Sequence, residues 1–112
     1  MRQPIALGLL LLGAVACGPD TGAVTLGSAG PWDQTYGAMN RRGIELALAE
    51  LNARPEYRDA QISIEFRNDS GSGARAAQIA QEFVDNPEIL AVVGHVNSGA
   101  MVSAAKVYDG HM

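Results

Sequence analysis

Three times between residues 23 and 108, a short apolar run gives way to a longer stretch whose apolar positions recur three and four apart. The first run, "AVTLGSAG", ends in small residues and leads into "TYGAMNRRGIELALAELN". There Tyr36, Met39, Gly43, Ile44, Ala47, Leu48 and Leu51 fall on one face, while Arg41, Arg42, Glu45 and Asn52 fall mostly on the other. That is the period of an amphipathic helix. Gly43 on the inward stripe would let the helix approach a sheet closely, at some cost in helix propensity. Pro55 ends any continuation.

The second run, "QISIEFR", alternates strictly, with Ile62, Ile64 and Phe66 on one side and Gln61, Ser63, Glu65 and Arg67 on the other. It predicts a strand covered on one face or lying at a sheet edge. The loop "NDSGSG" offers Asp69, Ser70 or Ser72 as a helix cap, and "ARAAQIAQEFVD" places Ala76, Ile79, Ala80, Phe83 and Val84 on one stripe. The third run, "ILAVVG", is apolar without alternation, as expected of a strand buried on both faces. A third helix is predicted over 98–108, with Met101, Ala104, Ala105 and Tyr108 inward.

Strands and helices alternating at these lengths imply an α/β fold: a parallel sheet with right-handed crossovers and helices on both faces, in three layers. The order 2-1-3 puts the alternating strand at an edge, where its polar face is tolerated. With three strands only, the third would expose a long apolar edge, so the chain reads as a truncated protein.

The start of the chain changes the picture. "MRQPIALGLLLLGAVAC" carries Arg2, an apolar stretch from Ile5 to Leu12, and then small residues up to Cys17. The apolar core is too short to span a bilayer as a helix, so residues 1–16 read as a signal peptide. Val15, Ala16 and the lone Cys17 resemble a lipobox, in which the cysteine is acylated. Ala14 stands where that pattern prefers leucine. Residues 17–22 form a small, turn-prone linker, and 23–112 form the folded part. Of 112 residues, eight are Lys or Arg and twelve are Asp or Glu. Losing the leader removes only Arg2, leaving a net charge of −5. With no basic cluster, nucleic acid is a poor partner.

Ligands in such sheets sit beyond the carboxyl ends of the strands, here the loops 29–35, 68–73 and 94–99. All three are rich in Gly, Ser and Asn. A nucleotide fails residue by residue: Gly94 and Gly99 have phosphate-loop spacing, but Ala100 and Met101 stand where Lys and Ser or Thr are needed. Ser98 lies on a strand-to-helix turn as a hydrolase nucleophile would, yet Val96 occupies the glycine position two before it. His95 and His111 have no obvious orienting carboxylate close in sequence, and no ligand pair at helical spacing suggests a metal. No cofactor is implied and an enzyme is not expected.

"LGSAGPWDQTYGAMNRRGIELALAELN", "FRNDSGSGARAAQIAQEFVD" and "ILAVVGHVNSGAMVSAAKVYD" together resemble the N-terminal part of a type I periplasmic substrate-binding protein, close to the leucine/isoleucine/valine-binding proteins of ABC transporters. The resemblance implies two lobes closing on a small ligand, with an amino acid as ligand and a transporter permease as partner. It gives the position of Ser98 the role of donating a hydroxyl to the ligand's α-carboxylate, and that of Tyr36 the lining of the cleft, with Trp32 also in the first loop. Asn97 and Gly99 would shape the turn around Ser98. A helix N-terminus, with spare N–H groups and a positive dipole end, suits that carboxylate. Other roles fit the same residues: Ser98 or Asn97 as a helix cap, Tyr36 in core packing, Asp69 in a turn, His95 hydrogen-bonded at a strand end, Arg41 and Arg42 on a solvated face. A sensor of the same fold is the alternative function, and a Ser-dependent hydrolase a more distant one.

The lipobox makes a direct prediction. Cys17→Ser should move the protein from the membrane fraction to the soluble one, and unchanged membrane association would count against acylation at Cys17.

Overall fold

The computed structural model describes residues 22–111. The leader, Cys17 and most of the linker expected over 17–22 lie outside the described residues. Three strands, β1 (Val24–Gly30), β2 (Ile62–Asn68) and β3 (Ile89–Gly94), form a parallel sheet of order β2-β1-β3. Between them run α1 (Thr35–Asn52) and α2 (Gly73–Asp85), and α3 (Ser98–Tyr108) follows β3. Every expected element is present in the expected order.

The register is regular between β1 and β2, pairing Val24 with Ile62 through to Gly30 with Asn68. Between β1 and β3 it shifts once, near Thr25 and Leu26. Below the crossover to β2, the Asn52 side chain donates to Ile62 O at 2.7 Å and accepts from Ile62 N–H at 2.9 Å. One side chain thus joins the end of α1 to the first residue of the next strand.

The two faces of the sheet are covered very differently. On one, α2 and α3 pack against each other through Ala76, Ala80, Ala100 and Ala104, all fully buried. Alanines spaced four apart leave shallow grooves that let two helices come close. Ile79 and Phe83 of α2 meet Ala29 of β1 and Ile89 of β3 to form the core beneath them. Phe83 lies over Gly27, whose missing side chain makes the room. Ser72 caps α2, its hydroxyl accepting from Arg75 N–H, so of the three candidate caps it is the one used.

On the other face α1 stands off the sheet, leaving an apolar cleft lined by Leu26, Ile44, Leu48, Leu51, Ile64 and Val93. Here the helical stripe needs correction. Ile44, Leu48 and Leu51 do turn toward the sheet, but Tyr36 is 48% exposed and Met39 65% exposed, because the first two turns of α1 run beyond the end of the sheet. Gly43 makes no close approach: a Cβ there would meet nothing within 4 Å. The close approach is at Gly37, buried, where a Cβ would sit 1.9 Å from Pro31 O. β3 also departs from expectation. It was expected to be buried on both faces, yet Leu90 is 70% exposed and Val93 is exposed as well, since nothing among the described residues flanks its outer edge. In α3, Ala100 and Ala104 are the buried pair and Ala105 is exposed. The inward stripe is therefore rotated from the expected one.

The two α1 glycines make a paired test. Gly37→Ala must push a carbonyl aside and should lower stability by about 1–3 kcal/mol, despite the better helix propensity of alanine. Gly43→Ala meets no obstacle and should raise stability by about 0.5–1 kcal/mol. Thermal melts of both variants check this, and a neutral Gly37→Ala or a destabilising Gly43→Ala would contradict the packing described.

Candidate functional site: a crevice between β1 and β3

The chain leaves β1 toward α1 on one face and leaves β3 toward α3 on the other. In a parallel sheet this divergence opens a crevice beyond the strand ends, between β1 and β3. Two residues expected at the site meet there. Tyr36, in the first turn of α1, and Asn97, immediately before α3, bridge the crevice: the Tyr36 hydroxyl accepts from Asn97 Nδ2 at 2.9 Å and lies 3.1 Å from Oδ1. Tyr36 is thus half-exposed and is not part of the core.

Asn97 occupies the N-cap position of α3, yet its side chain makes no cap bond; the amide is committed to Tyr36 instead. Ser98 is the first residue of the helix and Gly99 the second, both exposed. The first N–H groups of α3 therefore have no side-chain cap among the described residues. The N-terminus of α2 lies alongside, where a Cβ on Gly73 would come within 3.5 Å of Gly99 O. Two helix N-termini thus sit at one edge of the crevice, and both favour negative charge.

Polar bonds tie the three loops together around this crevice. Trp32 N–H donates to Asn68 Oδ1 at 3.0 Å. Gln34 donates to Ser70 O at 3.1 Å and the Ser70 hydroxyl to Asp33 at 3.0 Å. Asp69 N–H donates to Gly30 O at 3.0 Å, and Val96 N–H to Ala29 O at 3.3 Å. Gly94 has φ +136° and a Cβ there would lie 2.7 Å from Ala29 O, so only glycine lets β3 end this close to β1. Trp32 packs edge-on against Phe66, with ring centroids 5.7 Å apart. Arg41 lies over the same Phe66 ring at 4.4 Å, so one of the two arginines is less solvated than expected.

A pair that sequence spacing did not reveal lies beneath the loops. His95 Nδ1 is 2.8 Å from Asp69 Oδ2, both side chains fully buried, and His95 Nε2 is 3.2 Å from the Tyr108 hydroxyl. A carboxylate only accepts, so Nδ1 is the donor to Asp69, while Nε2 and the Tyr108 hydroxyl share the second hydrogen bond. Burial pushes the Tyr108 hydroxyl up to about 12, so it stays protonated. The orienting carboxylate missing near His95 in sequence is thus supplied from 26 residues away. It does not make a Ser98 nucleophile, because both ring nitrogens are already engaged. Among the described residues no cluster of His, Cys, Asp and Glu could hold a metal.

Residues 23–112 match the model of the family described as periplasmic binding protein, and the parallel sheet of order β2-β1-β3 agrees with that match. The chain belongs to that family. It is 28% identical over 112 residues to Leu/Ile/Val-binding protein homolog 2 of Brucella abortus (strain 2308), covering 96% of this chain and 30% of the relative. It is 30% identical over 89 residues to an amino acid binding protein of Pseudomonas aeruginosa, covering 77% and 24% of the two chains. Among solved structures it is similar to an ABC transporter substrate-binding protein from Desulfitobacterium hafniense in complex with Leu. That likeness has a TM-score of 0.66 and 32% identity, over 78% of this chain and 26% of the other. A second structure of an ABC transporter substrate-binding protein from that organism gives 0.68 and 31%. These relatives are solute-binding proteins, not enzymes. The chain spans 24% to 30% of the length of these relatives. Membership of the family places it outside the cytoplasm.

Proposed function

We propose that this chain supplies the carboxylate-binding side of an amino-acid-capturing subunit that serves an ABC importer through its permease. The observation that carries the reading is the Tyr36–Asn97 bridge across the crevice. It commits the Asn97 side chain away from capping and leaves the start of α3, with Ser98 and Gly99, open to an anion. A ligand α-carboxylate would accept from the Ser98 hydroxyl and from the free N–H groups of the helix, whose dipole favours the negative end of the ligand. Tyr36 would form a wall of the same space, and Gly99 would keep the approach to the helix clear. The leucine bound by a structural neighbour supports an amino acid as ligand. Capture, not chemistry, is the role of the site. In this reading Cys17 tethers the protein to the membrane by its acyl chains, with 18–22 as a short spacer.

A hydrogen bond from a hydroxyl to a charged acceptor contributes on the order of 1.5–3 kcal/mol. In the full-length protein, Ser98→Ala should therefore weaken binding of leucine, isoleucine or valine by about ten- to a hundredfold. Since Asn97 and not Ser98 holds the N-cap position, the melting temperature should change little. Calorimetric titration and thermal melts on the same variant check both. A Ser98→Ala protein that melts earlier yet binds normally would make the turn a structural device only.

A further inference from the structure

The proposed ligand contacts leave one polar assembly unused. Asp69, His95 and Tyr108 form a continuous hydrogen-bonded chain beneath the crevice, with both ring nitrogens of His95 engaged. Asp69 is fully buried, and a buried carboxylate is costly unless it is paired and its remaining lone pairs are filled. Here each oxygen has a partner: Oδ1 accepts from Gly71 N–H at 2.8 Å and Oδ2 from His95 Nδ1 at 2.8 Å. The Asp69 backbone is fixed as well, its N–H donating to Gly30 O at 3.0 Å and its carbonyl accepting from Ser72 N–H at 2.8 Å. Asp69 is therefore an anchor set by the end of β1 and the start of α2.

His95 carries that anchoring to the candidate site. It lies two residues before Asn97 and three before Ser98, and its imidazole points into the interior, away from the turn's exposed residues. With Nδ1 held by Asp69 and Nε2 by Tyr108, the ring has one orientation, which leaves the backbone on its C-terminal side little freedom. Tyr108 is the last residue of α3, so the chain also links the start of that helix to its end. A hydrophobic side chain at position 95 could fill the same volume, but it could not fix direction in this way.

We propose that Asp69, His95 and Tyr108 are positioning residues for ligand capture: they hold the 95–98 turn so that the Ser98 hydroxyl and the first N–H groups of α3 face the ligand carboxylate. The proposal rests on the amino-acid-binding reading above. It distinguishes His95 from an ordinary core residue, because a ring coupled to the turn must sense the ligand without touching it.

The test uses the full-length protein labelled with 15N-histidine, with leucine, isoleucine and valine as probes. Two-bond proton–nitrogen correlation spectra should show His95 Nδ1 protonated, and its Nδ1–H resonance should move when the tightest of the three ligands saturates the protein. His95→Gln and Asp69→Asn should weaken that ligand's binding by about two- to thirtyfold at a temperature where circular dichroism shows them folded. Tyr108→Phe, which removes only a hydroxyl, is expected to fold regardless, to shift the His95 resonance and to weaken binding. An unmoved His95 resonance on saturation, or wild-type affinity in folded Tyr108→Phe together with His95→Gln or Asp69→Asn, overturns the positioning role. A wild-type protein that binds none of the three amino acids defeats the capture reading itself, and this inference falls with it.

Discussion

A strand, a crossover and a second parallel strand join with one hand, because a right-twisted strand followed by a right-handed helix packs back on the sheet only that way. In a sheet of order β2-β1-β3, stepping from β1 to β2 and then back past β1 to β3 therefore puts α1 on one face and α2 on the other. The chain leaves β1 and β3 in opposite directions, and the gap between those exits cannot be filled by either connection. The start of α1, the start of α3 and the hydrogen bond joining them all take their places from that gap. The small residues of the three loops follow from it too: Gly94 lets β3 end against β1, and Gly37 lets α1 begin against Pro31.

The elements were legible in the sequence because each has its own period. Strict alternation over 61–67 marked β2, and the spacing of Ala76, Ile79, Ala80 and Phe83 marked the buried face of α2. Where the reading failed, a local pattern was asked for tertiary information. The α1 stripe gave the correct face at Ile44, Leu48 and Leu51, but it could not show that the helix starts beyond the sheet, which leaves Tyr36 and Met39 exposed. Two glycines in one helix look alike in sequence, and only the position of Pro31 O separates Gly37 from Gly43. β3 reads as a strand buried on both faces because an apolar run without alternation carries no information about what flanks it, and Leu90 and Val93 are exposed.

The candidate site divides in the same way. The turn of Asn97, Ser98 and Gly99 was legible because a strand-to-helix connection carries its own signature of small polar residues. Tyr36 was placed by resemblance, and its link to Asn97 crosses 61 residues. The Asp69–His95 pair crosses 26 and follows no helical or strand spacing. A signal was present nonetheless: a histidine directly after an apolar strand, inside a domain with a single other histidine, needs a partner if it is buried. The partner had to come from a neighbouring loop, and the sheet order brings the 68–73 loop to it by way of β1.

The central claim is that the start of α3 is a carboxylate site held open by Tyr36 and Asn97 and fixed from below by His95. The most direct measurement compares leucine with 3-methylbutylamine, which keeps the side chain and the amine but lacks the carboxylate, by calorimetric titration of the full-length protein. The account predicts that leucine binds and that the amine gives no detectable heat and does not displace leucine at concentrations that saturate with leucine. Comparable affinity for the two would show that the ligand is held by its other groups, and the start of α3 would then be an ordinary helix end.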